Sequence, residues 1–301
     1  MKVHVRVPAT SANLGPGFDS LGLALGLYNE VTASEADGVT VAIEGEGAGR
    51  FASGEKNVVA RGVRLAYEAA GRPFKGCALR CLNRIPGARG LGSSAAAWVG
   101  GLVAGNTLLG TPLPPSAVLT LAARAEGHPD NVAAALLGGL TVSCASADGA
   151  TAVALPALPA LRWVVLIPDV TSATADARAV LPATIRREDA VFNVQRVALL
   201  LAALHANRPD ALSVALDDRL HQPYRTRLFP WMTDVIAAAR GAGALGCVLS
   251  GAGPSILAVA MDGAPAVASA MERALHAARI GGTARELPLD TTGAVSRIDV
   301  S

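Results

Sequence analysis

The chain has 301 residues, 51% of them hydrophobic and 17% charged, with 26 Lys+Arg against 24 Asp+Glu. That is ample apolar material for a buried core and excludes a disordered chain; at roughly 150 residues per domain it suggests about two domains. A net charge of +2 with no basic block argues against a general nucleic-acid binder, and the only lysines, Lys2, Lys56 and Lys75, limit chemistry that needs one.

Val3, Val5 and Val7 alternate with Lys2, His4 and Arg6 as in a half-buried strand, and Val39, Val41 and Ile43 repeat that pattern. Residues 57–70 read as a helix and 77–82 as a strand. The stretch from Gly90 to Ala123 carries no charge, but Gly105, Asn106, Gly110 and the prolines at 112–115 break it. A membrane span needs about 20 apolar residues in a row, so this stretch predicts two buried helices, the second capped by Ser116. Ala145–Gly149 reads as a turn and Pro156-Ala-Leu-Pro159 as a connector between halves. Beyond it come a strand at 163–167, helices at about 188–206, 209–218 and 230–241, strands at 247–249 and 256–260, and a helix at 265–278. Mixed elements in both halves predict an α+β protein of two lobes, 1–155 and 156–301. The four scattered cysteines make no disulfide scaffold or zinc spacing, and the N-terminus has no signal-peptide core. The expected compartment is the cytoplasm.

Four clusters carry the chemistry. In Pro86-Gly-Ala-Arg-Gly-Leu-Gly-Ser-Ser-Ala-Ala-Ala97 a strand leads through glycines into a helix opened by Ser93 and Ser94. The free N–H groups and dipole of such a helix start favour an anion, and the hydroxyls can cap the helix or reach a phosphate-bound metal. A plain turn with a cap is the other reading. Ser93 stands where a P-loop lysine belongs, which removes that motif. Gly90-Leu-Gly92-Ser-Ser-Ala95 fits a dinucleotide fingerprint, but no acidic residue lies between Gly90 and Ala125 to take the ribose. The second cluster is Glu126-Gly-His-Pro-Asp-Asn131. Either it is a turn in which Asp130 caps a helix, or Glu126 is a hard ligand for Mg²⁺ with His128, Asp130 and Asn131 facing a polar substrate. The third is Pro8-Ala-Thr-Ser-Ala-Asn-Leu-Gly-Pro-Gly-Phe-Asp19, with Asn13 and Asp19 as its strongly polar members. The fourth, Ser250-Gly-Ala-Gly-Pro-Ser255, is a hairpin or a backbone approaching a ligand.

Taken together and in this order, the Pro8–Asp19, Pro86–Ala97 and Ser250–Ser255 segments resemble the three motifs of the GHMP kinases over essentially the whole chain. Glu126–Asn131, Thr174–Pro182 and His221–Arg225 are similar to the homoserine-phosphorylating branch. The resemblance implies an N-terminal lobe like ribosomal protein S5 domain 2, with a left-handed βαβ unit, and a ferredoxin-like C-terminal lobe. It implies ATP and Mg²⁺ as cofactors, L-homoserine as substrate in threonine biosynthesis, and a possible homodimer. For ATP it points to Asn57, Pro86, Gly87, Ala88, Arg89, Gly90, Leu91, Gly92, Ser93, Ser94, Ala95, Ala96, Gly251 and Gly253, with Ser94 and Glu126 on the metal. For the substrate it points to Asn13, Asp19, His128, Asp130, Arg178 and Arg225: Asp19 suits an ammonium, and either arginine can fork onto a carboxylate. Many members have an Asp as base with a Lys nearby. Asn131 stands at the matching place and lacks basicity, so transfer is expected without a strong protein base, helped by Asn13 and Thr174. A kinase of another small alcohol, or a silent nucleotide sensor, are the competing readings.

Overall fold

The computed structural model describes residues 1–155 and 160–299. Strand β1 (Lys2–Ala12) pairs antiparallel with β2 (Leu21–Glu35); β3 (Gly38–Gly45) pairs in parallel with β4 (Gly76–Asn83) across helix α1 (Val58–Ala69). Helices α2 (Ser93–Leu108), α3 (Pro115–Glu126) and α4 (Asp130–Leu137) follow, then the hairpin of β5 (Leu140–Ala145) and β6 (Ala150–Leu155). The second half holds β7 (Arg162–Pro168), α5 (Thr174–Ala179), α6 (Arg187–His205), α7 (Leu212–Ala215), α8 (Gln222–Arg225) and α9 (Met232–Gly241). It closes with β8 (Gly246–Leu249), β9 (Ile256–Ala260), α10 (Ala264–Ala277), β10 (Gly282–Leu287) and β11 (Val295–Asp299).

The first sheet runs β11-β1-β2-β4-β3, with β5 on β2 and β6 on β5; the second runs β10-β7-β9-β8. Counting only the second sheet's strands in chain order, that is 4-1-3-2, all antiparallel, with α9 and α10 packed together: the split βαβ arrangement of a ferredoxin-like unit. The sheets divide the chain between β6 and β7 with one exception. β11 returns from the far end to pair with β1, Lys2 opposite Asp299. The expected connector at 156–159 lies outside the described residues.

Two apolar layers hold this together. On β7, Trp163, Val165 and Ile167 face one cluster while Val164 and Leu166 face the other, so the strand is buried on both sides. The larger cluster runs from Val3, Leu23 and Leu102 in the first half to Leu200, Leu216 and Leu257 in the second, so the halves share a core. Helix α2 is apolar on nearly every face and packs on α1, β1 and β2. Where it meets α1, a Cβ on Gly101 would come within 2.2 Å of the Val59 carbonyl oxygen, so the helices touch backbone to backbone.

Several elements depart from the sequence reading. Ser116 lies inside α3; Pro115 takes the first helical position, where its missing N–H costs nothing. The helix expected at 209–218 breaks into a 3₁₀ turn and α7. Asp218 instead turns its carboxylate to the backbone N–H groups of Leu220, His221 and Gln222 and starts α8. Strand β2 was not expected. Its first five residues, Leu-Gly-Leu-Ala-Leu, are buried without alternation and include no β-branched or aromatic residue, so they do not read as a strand.

Candidate active site

A cavity of about 540 Å³ lies where the two halves meet, lined by Asn13, Gly92 and Glu126 on one side and by Thr174, Arg225 and Gly251 on the other. Its floor is the start of α2. The first helical residues, Ser93, Ser94 and Ala95, have no carbonyl one turn back, so their N–H groups are free for an anion. Neither serine caps the helix; the cap position is Gly92, without a side-chain bond. The Ser94 hydroxyl donates instead to the Glu126 carboxylate at 2.7 Å. Burial pushes the Glu126 carboxyl above its ordinary value, as does the Asp130 charge, against the lowering effects of Ser94 and His128.

The three glycine-bearing segments interlock beneath this floor. The buried Ser250 hydroxyl donates to the Gly90 carbonyl at 2.7 Å and meets the Ser11 hydroxyl at 2.8 Å. Asn13 Nδ2 donates to the Gly251 carbonyl, its Oδ1 accepts from the Asp19 N–H, and the Gly251 N–H reaches the Ala12 carbonyl. Around Ser250–Ser255, then, β8 and β9 make a tight hairpin and Gly251 also reaches the cavity.

One wall is charged. Arg178 forks onto Asp19, Nη2 to Oδ1 at 2.6 Å and Nη1 to Oδ2 at 3.0 Å, and that bonding holds its guanidinium above the usual range. Arg225 is 2% exposed and has no carboxylate in hydrogen-bonding contact among the described residues. Burial, aided by the Arg178 charge, pulls it down to about 10. Phe18 lies between the two guanidiniums, 5.5 Å from Arg178 and 5.6 Å from Arg225. Asp130, 1% exposed, accepts from His128 Nδ1 and from the Asn131 N–H on a single oxygen. Burial opposes charge on His128, but the Asp130 bond and the Asp130, Glu126 and Asp19 charges outweigh it and raise its pKa. Asn131 Oδ1 accepts from the Thr10 hydroxyl at 2.7 Å.

A helix start with free N–H groups thus faces, across one cavity, a wall that carries both signs of charge. Sequence comparisons match this pattern. The GHMP kinases N terminal domain model matches residues 57–139 and the GHMP kinases C terminal model residues 200–277. A homoserine kinase of Moorella thermoacetica is 47% identical over 97% of this chain and 98% of its own. One from Gloeobacter violaceus is 49% identical over 89% and 91%. The crystal structure of homoserine kinase from Cytophaga hutchinsonii superposes with a TM-score of 0.90 at 33% identity, covering 98% and 97% of the two chains. The chain belongs to the homoserine kinase family of GHMP kinases.

Within this GHMP fold, most residues singled out from the sequence line the same cavity: Asn13, Asp19, Asn57, residues 87–94, Glu126, His128, Asp130, Asn131, Thr174, Arg178, Arg225 and Gly251. Pro86, Ala95, Ala96 and Gly253 do not line it. Ala95 and Ala96 are packed into the core, and a Cβ on Gly253 would meet Phe229, so these four support the loops from behind. Asn57 lines the far end, but its amide is spent on structure: it caps α1 through Val59 and Ala60 and donates to the Ala52 carbonyl at 2.7 Å. Lys56, outside every motif, is in that lining too, beside Phe51. Sequence reasoning also missed Thr10, Phe18 and His221, although all three sit inside segments it quoted. Asp19, His128 and Asp130 lie close enough to share a metal ion. Both oxygens of Asp19 and one of Asp130 are already taken by protein donors.

Proposed function

We infer that the chain transfers the γ-phosphoryl group of ATP to the hydroxyl of L-homoserine. The observation that carries this reading is the pairing, in one cavity, of the free α2 N–H groups with a wall of Asp19, Arg178 and the buried Arg225. A substrate with an ammonium, a carboxylate and a hydroxyl fits that wall; an isoprenoid alcohol does not. The nucleotide would lie between the lobes at 1–155 and 156–301, its base towards Phe51 and Asn57 and its phosphates on residues 90–95. A reaction that draws on ATP agrees with the cytoplasm expected from the sequence. Every residue invoked belongs to one chain, so this reading does not call on the homodimer that the resemblance implies.

Ser94 and Glu126 fit Mg²⁺: a hydroxyl and a carboxylate 2.7 Å apart, the carboxylate half-buried and with no Lys or Arg in contact among the described residues. When bound, Mg²⁺ neutralises charge on the phosphate oxygens. The protein positions the rest. Asp19 takes the ammonium, Arg225 and Arg178 the carboxylate, and Asn13 fixes the loop that carries Asp19. Asn131 has no usable basicity and is held by Thr10, so it orients and does not deprotonate. The attacking hydroxyl then gives its proton late, to a phosphate oxygen, as a loose transition state permits.

The decisive assay is ADP release from Mg·ATP with L-homoserine, D-homoserine, L-serine, L-threonine, mevalonate and galactose. Turnover confined to L-homoserine is expected; turnover with mevalonate or galactose alone overturns the substrate, and silence with ATP still bound favours a sensor. The raised Glu126 carboxyl adds a second expectation. A proton competes with Mg²⁺ for this group, so as pH falls through its raised pKa the site protonates and metal is lost. The Mg²⁺ concentration for half-maximal turnover should therefore begin to rise, as pH falls, before the pH at which an ordinary carboxyl protonates. A flat Mg²⁺ requirement across that range counts against Glu126 as the ligand.

A further inference from the structure

His221 is fully buried, is absent from the cavity lining, and has no part in the chemistry above. Its partners nevertheless define one job. Arg225 is held at two of its three nitrogens: Nε donates to the Ala177 carbonyl at 3.1 Å, and Nη1 donates to the Gly251 carbonyl and to His221 Nδ1, both at 3.0 Å. Nη2 is left without a protein acceptor among the described residues and is the end free for a ligand. Two of the three acceptors are backbone carbonyls. His221 is the one side chain among them.

The imidazole is itself fixed from three directions. Because Nδ1 accepts from Arg225, Nε2 carries the hydrogen and donates to the Gly15 carbonyl at 2.8 Å. The ring stacks on Phe18, centroids 5.3 Å apart and planes 27° from parallel. Gly15 and Phe18 belong to the loop that also carries Asp19. The accepting ring must be neutral. Of the charged groups facing it, Arg225 opposes protonation, while Asp218, 3.5 Å from Nε2, and Asp19 favour it. Burial is the largest influence and lowers the His221 pKa. Asp218 is meanwhile occupied by Asn193 and three backbone N–H groups.

We propose that His221 is a positioning residue for carboxylate recognition: it touches no substrate, but through Nδ1 it aims Arg225 Nη2 into the cavity and couples that aim to the Asp19 loop. This rests on the reading that Arg225 takes the substrate carboxylate. The test is steady-state kinetics of His221→Gln, His221→Asn, Arg225→Ala and the His221→Gln/Arg225→Ala pair. Glutamine can keep the donor to Gly15 but offers Arg225 no acceptor at the Nδ1 position; asparagine keeps that acceptor and loses the donor. His221→Gln should raise the KM for L-homoserine about tenfold, the scale of one hydrogen bond to a charged group, and leave the KM for ATP unchanged. His221→Asn should restore most of the homoserine KM, and His221→Gln should add nothing to Arg225→Ala. Equal rises in both KM values, or full additivity in the pair, would make His221 merely structural and overturn the proposal. If Arg225→Ala leaves the homoserine KM unchanged, the carboxylate reading itself fails and takes the proposal with it. Should the glutamine variant not fold, His221→Ala takes its place: a rise in the homoserine KM alone, reversed in His221→Asn, supports the role, and an unchanged homoserine KM or equal rises in both KM values refute it.

Discussion

Asp19→Asn and Arg178→Ala should each lower kcat/KM for L-homoserine by about a hundredfold and leave the KM for ATP near its starting value. Without substrate the two side chains satisfy each other through two hydrogen bonds. On the reading proposed above, the incoming zwitterion would exchange that internal pair for two external ones, its ammonium on Asp19 and its carboxylate on Arg178 and Arg225. Removing one partner strands the other opposite an unmatched charge, which costs about 2–5 kcal/mol at buried sites. The pair here is more than a third exposed on the Arg178 side, so solvent screening puts the loss towards the lower end of that range. The same argument applies to ligands. 4-Hydroxybutanoate, which lacks the ammonium, and 3-amino-1-propanol, which lacks the carboxylate, should both be poor substrates, since each leaves half of the exchange undone. If 3-amino-1-propanol were turned over as fast as homoserine, the wall would not be reading a zwitterion, and the substrate assignment would fall with it.

The parts of this site that could be read in the sequence are those in which one residue type does one local job. Gly90 and Gly92 before Ser93 and Ser94 announce a helix start with free N–H groups, and Glu126 stands out as an acid in an apolar stretch. What could not be read are the pairings between distant segments. Nothing local in Arg178 or Asp19 says that they bind each other across 159 residues. Ser250 looks like a hairpin serine until its hydroxyl is seen under the Gly90 carbonyl. Thr10 looks like any strand threonine until it is found holding Asn131. Lys56 lies in no motif, yet it follows the loop that brings Phe51 to the cavity. The fold shows the same division. β7 was legible because a strand buried on both faces is a continuous apolar run, whereas β11 was not, because its place in the first sheet depends on pairing with β1 at the other end of the chain.

Gly92→Ala should cost more than any single side chain in the phosphate loop. Its φ is +68°, in the left-handed region, where an L side chain loses about 1–2 kcal/mol. Strain is the smaller part. A Cβ there would lie 1.9 Å from Thr10 Oγ1 and 3.3 Å from Asn131 Oδ1, and neither neighbour is free to yield. Thr10 donates through its hydroxyl to Asn131 at 2.7 Å and through its N–H to the Leu91 carbonyl at 3.1 Å. To admit the methyl, Thr10 or the loop must shift, which moves the first turn of α2 with its N–H groups and separates Ser94 from Glu126. Losing one preorganised donor to a developing negative charge costs about 10²–10³ in rate, so kcat/KM for ATP should fall by at least that much. Gly71→Ala separates the two causes. Gly71 has a nearly equal φ of +65°, nothing within 4 Å of a built Cβ, and no place in the cavity. It should lower the unfolding free energy by about 1 kcal/mol and leave the kinetics alone. Equal kinetic losses in the two variants would trace the effect to backbone strain at large, whereas a loss confined to Gly92→Ala assigns it to the junction of Thr10, Asn131 and the phosphate-binding helix.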